Sequence, residues 1–249
     1  MTVYADNAAT TQMSENVLKA MMPLLTDIYG NPSSLHSIGQ VAKEYLENAR
    51  ETVADCIGAD PKEIYFTSGG SEADNQAIRS AAYIGARKGK KHIISSKFEH
   101  HAVLHTLDAL KKEGFTVTLL DGLDDVIKTL DIGKIYMPFV SNANTKTYED
   151  VENAITDETC LVTIMTANNE IGTIQPIAEI GKICKEKGVL FHTDAVQAVG
   201  HIPVNVKDMN VDMLSVSAHK FHGPKGVGFL YARKGILLTN IIYGGAQER

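Results

Sequence analysis

The sequence has little of what several large classes of protein require. Its three cysteines, Cys56, Cys160 and Cys184, are far apart and form no CxxC motif, so no disulfide framework is predicted. The net charge is −6, whereas nucleic-acid binding favours a basic surface. No run approaches the roughly 18 apolar residues of a membrane helix. We therefore expect a protein of the reducing cytoplasm that binds neither nucleic acid nor membrane.

Targeting signals and repeats are also missing from the sequence. Residues 1–10 contain neither a basic stretch nor an apolar stretch, so no signal peptide is expected. A chain of 249 residues, 44% of them hydrophobic, suits one large α/β domain or two small ones. We interpret residues 1–13 as an N-terminal segment and residues 14–249 as one large domain. Residues 121–150 are the least readable part and receive no function.

The pattern of apolar residues alternates between helix and strand. Helical stripes alternate with the short runs EIYFT, HIISS, FTVTLLD and CLVTIM, and after a helix that starts at Pro176 come three further strands, VLFHTDA, VDMLSVSA and GVGFLYA. This alternation predicts an α/β fold with a mostly parallel sheet and helices on both faces. Ligands bind such sheets at the carboxyl ends of the strands, so the residues that follow each strand are the candidates for a site.

A pair of glycines follows the first strand, in the run Ser68-Gly69-Gly70-Ser71. Glycines between a strand and a helix let backbone N–H groups converge on an anion, and Ser71 adds a hydroxyl. The run also fits a tight turn in which Ser71 caps the helix. Both interpretations remain open from the sequence.

Polar residues also follow the strands HIISS and CLVTIM. His100 could stack on a planar ring or carry a proton. His101 and His105 are four residues apart, but no HExxH motif surrounds them, and no metal site is predicted. Asn169 could bind a polar ligand group or form an Asx-turn.

The last candidates come from two further strands. Asp194 ends an otherwise apolar strand, where a buried carboxylate needs a partner, and Gln197 can reach the same place. Lys220 directly follows another apolar strand, and a partly desolvated amine is available as a nucleophile. Ser217 and His219 lie beside Lys220.

One ligand would use all of these residues. Pyridoxal phosphate (PLP) requires an anion cradle for its phosphate, a carboxylate for its pyridinium nitrogen, a ring that stacks on it and a Schiff-base lysine. PLP is therefore the predicted cofactor.

The motifs resemble those of the class I cysteine desulfurases, the NifS/IscS group of fold type I PLP-dependent enzymes. The resemblance implies a three-layer aminotransferase-type large domain, with the small C-terminal domain largely absent from this chain. It rests on YADNAATT, YGNPSSLHSIG, FTSGGSEADN, EHHAVL, ANNEIGTIQPI, HTDAVQAVG and SVSAHKFHGPKGVG.

The resemblance also implies a role for each candidate residue. The catalytic residues would be Lys220, which binds the cofactor covalently and removes the Cα proton, and His100, which stacks on the ring and takes part in acid–base steps. Asp194 would pair with the pyridinium nitrogen. The other cofactor-site residues would be Gln197 at the phenolic oxygen, Asn169 beside the substrate, and Gly70, Ser71, Ser217 and His219 at the phosphate.

The implied reaction transfers sulfur from L-cysteine to an enzyme cysteine and leaves alanine. The implied partners are a second copy of the chain, in a homodimer, and a sulfur-acceptor scaffold for iron–sulfur cluster or thio-cofactor assembly. The chain departs from the family in its insertion-like residues 121–150. It also ends before the loop that carries the sulfur-accepting cysteine. We therefore expect structural roles for its own cysteines and poor desulfurase activity from the chain alone.

Two alternatives stay open from the sequence. The first is a non-catalytic PLP-binding protein related to the desulfurases. The second is another enzyme of the class-V aminotransferase type, such as a selenocysteine lyase.

Overall fold

The computed structural model describes residues 2–120, 147–170, 172–245 and 248. Most of the insertion-like segment 121–150 lies outside these described residues. The described part of the chain contains six α-helices and seven β-strands. The helices are α1 Glu15–Thr26, α2 Ser37–Ile57, α3 Gly70–Ala86, α4 His101–Lys112, α5 Thr147–Ala154 and α6 Ile177–Lys187; the strands are β1 Ile64–Thr67, β2 His92–Ser96, β3 Thr116–Leu120, β4 Thr159–Thr163, β5 Leu190–Asp194, β6 Met213–Ser217 and β7 Gly228–Ala232.

The seven strands form one sheet in the order β1-β7-β6-β5-β4-β2-β3. Each neighbouring pair from β6 to β3 is parallel. Strand β7 is antiparallel to both of its neighbours, so β1 again runs in the direction of β6. The prediction of a mostly parallel sheet is confirmed. Six strands therefore place their carboxyl ends at the same edge.

Helices cover both faces of the sheet. Because successive side chains of a strand point to opposite faces, Ile93 packs with α3 and α4, whereas Ile94 packs with α2, α5 and α6. Leu161 and Val162 divide in the same way between the two hydrophobic clusters. The predicted three-layer arrangement is therefore confirmed.

Close packing of α3 on the sheet depends on a glycine. A Cβ atom at Gly85 would lie 2.2 Å from the Cβ atom of Cys160 in β4, which is far inside van der Waals contact. This close approach fixes α3 against the centre of the sheet, so its N-terminus is held beside the carboxyl ends of the strands. Among the described residues, no helix has the length and apolar character needed to cross a membrane.

Candidate active site

A cavity of about 590 Å³ lies at the carboxyl edge of the sheet. Loops that follow β1, β2, β4, β5 and β6 all contribute to its wall. The structure therefore brings together every residue that the sequence predicted for the site. These residues are Gly70, Ser71, His100, Asn169, Asp194, Gln197, Ser217, His219 and Lys220.

The N-terminus of α3 forms one wall of the cavity. No side chain of the described residues caps this helix, and its N-cap residue, Gly69, has a φ of 150°, a conformation that favours glycine. A Cβ atom at Gly70 would lie 2.6 Å from Cγ2 of Val196, so the backbone approaches its neighbour closely. The N–H groups of the first turn have no partner within the helix and suit an anion. Ser71 is the second residue of the helix, so its interpretation as the N-cap is wrong.

Asp194 lies at the back of the cavity as the last residue of β5. It is 3% exposed, and one of its oxygens, Oδ1, accepts a hydrogen bond of 2.9 Å from the backbone N–H of Val196. Burial raises the pKa of Asp194, while that N–H, His100 and Lys220 all act to lower it. A buried carboxylate in a cavity wall is suited to pair with a positively charged ligand atom.

His100 lies at the mouth of the cavity as the N-cap residue of α4. Its Nδ1 accepts a hydrogen bond of 3.1 Å from the backbone N–H of Ala102. The preceding residue, Glu99, is buried and accepts bonds through Oε1 from the Ser96 hydroxyl at 2.5 Å and the Met165 N–H at 2.9 Å. These bonds tie the loop that carries His100 to β2 and to the loop that follows β4. Burial raises the pKa of Glu99 to about 8.

Lys220 lies in a short 3₁₀ turn directly after β6. Its amine donates hydrogen bonds of 2.5 and 3.0 Å to the carbonyl oxygens of Ala8 and Ala9. Burial lowers the pKa of Lys220, an effect that Asp194 and Asp6 oppose. A lowered pKa increases the fraction of neutral, nucleophilic amine at neutral pH.

The N-terminal segment forms part of the cavity wall, which the sequence did not predict. Ala9 and Thr10 line the cavity, and the carbonyl oxygen of Ala8 also accepts a hydrogen bond of 3.0 Å from Gln197. The Nδ1 atom of His219 lies 3.0 Å from the hydroxyl of Thr10. No composition signal in residues 1–13 points to these contacts, because they are mainly made by backbone carbonyl groups.

The loop after β4 divides two roles between adjacent asparagines. The Oδ1 atom of Asn168 accepts a hydrogen bond of 2.8 Å from the backbone N–H of Glu170, which makes Asn168 the Asx-turn residue. An Asx-turn at Asn169 would use the N–H of residue 171, which lies outside the described residues, so that interpretation stays a prediction. Asn169 is exposed at the cavity wall.

The sequence reasoning missed Asp74, a second acidic residue at the cavity. Asp74 is 1% exposed and lies on the inward face of α3, four residues before the buried Ile78. Burial, together with the charge of Asp194, raises its pKa well above the usual value. An acidic residue within an apolar helical stripe is the signal that could have identified it.

The three cysteines lie away from the cavity. Burial raises the pKa of the Cys160 thiol to about 11 and that of the Cys184 thiol to about 12, as expected for cysteines with packing roles. Cys56 was expected to have a structural role, but it is exposed on α2 and does not pack in the core. Among the described residues, no cysteine lines the cavity.

Comparisons with known proteins agree with this geometry. The aminotransferase class-V family matches residues 3–247. A cysteine desulfurase IscS of Clostridium botulinum is 53% identical over 247 residues, which are 99% of this chain and 57% of that protein. A solved NifS-like protein is 40% identical with a TM-score of 0.87, over 100% of this chain and 64% of that one. The structure described as SspA in complex with cysteine is also 40% identical with a TM-score of 0.87, over 99% and 66%. The chain thus spans little more than half the length of the curated relative.

Proposed function

Because the chain belongs to the aminotransferase class-V family, we propose that it forms the cofactor-binding part of a PLP-dependent cysteine desulfurase. The observation that carries this proposal is a single cavity bounded by an uncapped helix N-terminus, a buried aspartate and a lysine of lowered pKa. L-cysteine as the substrate is supported by the name of the Clostridium botulinum relative and by the cysteine bound to SspA.

The residues of the cavity fit PLP. The first turn of α3, which no side chain of the described residues caps and which lacks Cβ atoms at Gly69 and Gly70, suits the phosphate group. The side chains of Ser71, Ser217 and His219 would complete that phosphate site. Asp194, buried in the wall of the same cavity, would pair with the pyridinium nitrogen and stabilise its positive charge.

The remaining residues would act on the substrate. PLP, when bound, supplies an electron sink for the negative charge left at Cα after proton removal. Lys220 would attach the cofactor covalently and move the proton at Cα, which requires the neutral amine that its lowered pKa favours. His100 would stack on the ring and exchange protons at the cavity mouth. Gln197 would contact the phenolic oxygen of the cofactor, and Asn169 would orient the substrate.

None of the cysteines Cys56, Cys160 and Cys184 lines the cavity, so the sulfur-accepting thiol would be a different one. We therefore propose that this chain supplies the lysine side of the reaction. A sulfur-acceptor scaffold protein and a cytoplasmic location belong to the same proposal, with support from the IscS name of the relatives.

A homodimer is also proposed, and the exposed apolar side chains near the N-terminus support it. Large exposed apolar patches on soluble proteins mark interaction surfaces. Light scattering during size-exclusion chromatography tests this proposal, and a monomer at micromolar concentration would count against it. The side chains concerned are Val3, Tyr4, Leu18, Met22, Leu24, Leu25, Tyr29, Leu35, Ile38, Val41 and Tyr45.

The first test of function locates the lysine that binds the cofactor. The purified protein is mixed with PLP, reduced with borohydride, digested and mapped by mass spectrometry. We expect the modification on Lys220 and its loss in Lys220→Ala. Modification of Lys225, which also lines the cavity, in place of Lys220 would overturn the assigned role.

The second test separates a desulfurase from a PLP-binding protein without activity, an alternative that the distant cysteines favour. With L-cysteine alone, we expect slow alanine release by the 249-residue chain. With an added small dithiol as sulfur acceptor, a desulfurase would release alanine and sulfide in equal amounts, and Lys220→Ala would release neither. A protein that binds PLP but forms no alanine under either condition would contradict the proposed activity.

A further inference from the structure

A second buried carboxyl group lies beside Asp194 in the cavity wall. Asp74, in the second turn of α3, lines the same cavity and is 1% exposed. One of its carboxyl oxygens lies within 4.8 Å of a carboxyl oxygen of Asp194 and of a ring nitrogen of His100. Two carboxyl groups this close, out of contact with water, do not readily ionise together because their charges repel.

Asp74 lacks the partners that an ionised carboxylate would need. Its Oδ1 atom is buried and has no hydrogen-bond partner among the described residues. The ring of His192 is near, with Nε2 at 3.7 Å from Oδ1, but its nitrogens are engaged with the hydroxyls of Thr163 and Ser215 at 2.8 and 2.9 Å. Burial lowers the pKa of His192 to about 3, so the ring is neutral and offers no positive charge.

Asp194 is surrounded differently. It accepts a hydrogen bond from the N–H of Val196, and both His100 and Lys220 favour its ionised form. The negative charges of Asp194 and, more weakly, of Glu99 raise the pKa of Asp74. Among the described residues, only the Ser215 hydroxyl favours the ionised form of Asp74. The negative charge of the pair therefore belongs on Asp194. The titratable groups around the pair are His192 on β5, Glu99 and His100 before α4, and Lys220 after β6.

We infer that Asp74 is held in its protonated form and acts as a positioning residue for Asp194. A proton on Asp74 removes the repulsion between the two groups and leaves Asp194 as the carboxylate available to a ring nitrogen. It also allows Asp74 to donate a hydrogen bond toward Asp194 after a small side-chain movement. The consequence for cofactor binding rests on the proposed function, whereas the protonation of Asp74 does not.

The protonation state is tested in the purified protein without cofactor. The ¹³C resonances of aspartate carboxyl groups, labelled selectively, are followed from pH 5 to pH 8, and the Asp74 signal is identified by its loss in Asp74→Asn and by direct side-chain assignment. We expect the Asp74 carboxyl carbon to keep the shift of a protonated acid at pH 7, and Asp194 to ionise at a lower pH than Asp74. An Asp74 that is ionised at pH 7, or that ionises before Asp194, would overturn the inference.

The positioning role is tested by PLP affinity, measured by absorbance titration of folded variants. Asp74→Asn keeps a neutral side chain with a hydrogen-bond donor, and its Kd should stay within about threefold of that of the unsubstituted protein. Asp74→Leu keeps the branching at Cγ but has no donor, and its Kd should rise about tenfold or more. A tenfold loss in Asp74→Asn would show that a charge at Asp74 is required, and unchanged binding in Asp74→Leu would remove the positioning role.

The two measurements also separate this inference from the proposed function. If the unsubstituted protein fails to bind PLP, the proposed function fails, while the carboxyl resonances still decide whether Asp74 carries a proton. If PLP binds normally but Asp74 is ionised at pH 7, the proposed function stands and the inference is wrong.

Discussion

The buried side chain of Glu99 makes folding sensitive to pH. Its Oε2 atom is buried without a hydrogen-bond partner among the described residues, and burial raises its pKa to about 8. Between its ordinary pKa of 4.5 and pH 8, the folded protein keeps a proton that the unfolded chain has released. The contribution of Glu99 to stability is therefore complete below pH 4.5 and is lost as the pH rises through this window.

We predict that Glu99→Gln removes this loss, because glutamine cannot ionise. Relative to the unsubstituted protein, the free energy of unfolding of the variant should rise by roughly 2–4 kcal/mol between pH 5 and pH 8.5. Urea unfolding at a series of pH values measures the difference. The lowered pKa of His192 makes the folded protein less stable as the pH falls below 6.5. Because His192 is present in both proteins, its effect cancels in the difference between their free energies of unfolding.

The matched control for Glu99→Gln is Glu158→Gln, a change at an exposed glutamate just before β4. Its pH profile should run parallel to that of the unsubstituted protein. A parallel profile for Glu99→Gln as well would show that Glu99 ionises normally in the folded protein.

Individual residues were predictable from the sequence where they follow a strand. Asp194 and Lys220 each stand at the end of an apolar run, and strand direction alone brings them to one edge of the sheet. Asp74 lies in a helix and has no such signal beyond its place in an apolar stripe. Its proximity to Asp194 depends on how α3 crosses the sheet, which no local pattern specifies.

At the scale of elements, the N-terminal segment holds the turn that carries Lys220. Thr11 is 2% exposed, and both its backbone N–H and its hydroxyl donate hydrogen bonds of 2.8 Å to the carbonyl oxygen of His219. The same hydroxyl accepts a bond of 2.7 Å from the backbone N–H of His222. One side chain therefore joins the segment to both sides of Lys220.

We predict that Thr11→Val loosens this junction, since valine has the same shape but leaves the N–H of His222 without its acceptor. The expected loss in the free energy of unfolding is about 1–3 kcal/mol. Thr52→Val is the control, because among the described residues the exposed hydroxyl of Thr52 bonds only to the carbonyl oxygen of Asn48 in its own helix. Equal losses in the two variants, measured by urea unfolding, would contradict the role of Thr11.

Strand boundaries were predictable only to within about two residues: CLVTIM predicts a strand from Cys160 to Met165, whereas β4 runs from Thr159 to Thr163, and at β1 a side-chain bond explains the difference. The run EIYFT predicts a strand from Glu63, but β1 begins at Ile64. Asp60 and Glu63 form a capping box, which places Glu63 in a 3₁₀ turn. The position of β7 between β1 and β6 was not predictable either, because an apolar run predicts a buried strand without indicating its neighbours.

At the scale of the whole molecule, one ion pair joins the end of the chain to its first third. The guanidinium of Arg50, which is 1% exposed, donates to both carboxylate oxygens of Glu248, 198 positions away, at 2.7 and 3.0 Å. The same group donates to the carbonyl oxygen of Ile64 at 2.7 Å and lies 4.8 Å from the ring centre of Phe66. Glu248 also accepts a bond of 2.5 Å from the backbone N–H of Phe66. The pair therefore ties residue 248 to α2 and to strand β1 at the edge of the sheet.

We predict that Glu248→Ala is costly, because the buried guanidinium of Arg50 loses its nearer carboxylate and keeps the longer contact with Glu47, at 3.6 Å from Nε. The free energy of unfolding should fall by about 2–4 kcal/mol, less than for a fully buried pair because Glu248 is 30% exposed. Glu152→Ala, which breaks the exposed pair with Lys187 at 4.0 Å, should cost less than about 1 kcal/mol.

A double variant distinguishes the ion pair from simple packing at the same place. Replacing both Arg50 and Glu248 with methionine removes the buried charge together with its partner, so it should destabilise less than Glu248→Ala, although Ile64 and Phe66 lose their bonds. If Glu248→Ala lowers the free energy of unfolding, measured with urea, by no more than Glu152→Ala does, the ion pair between Arg50 and Glu248 does not stabilise the fold. If the double variant costs more than Glu248→Ala, the bonds to Ile64 and Phe66 matter more than the buried charge.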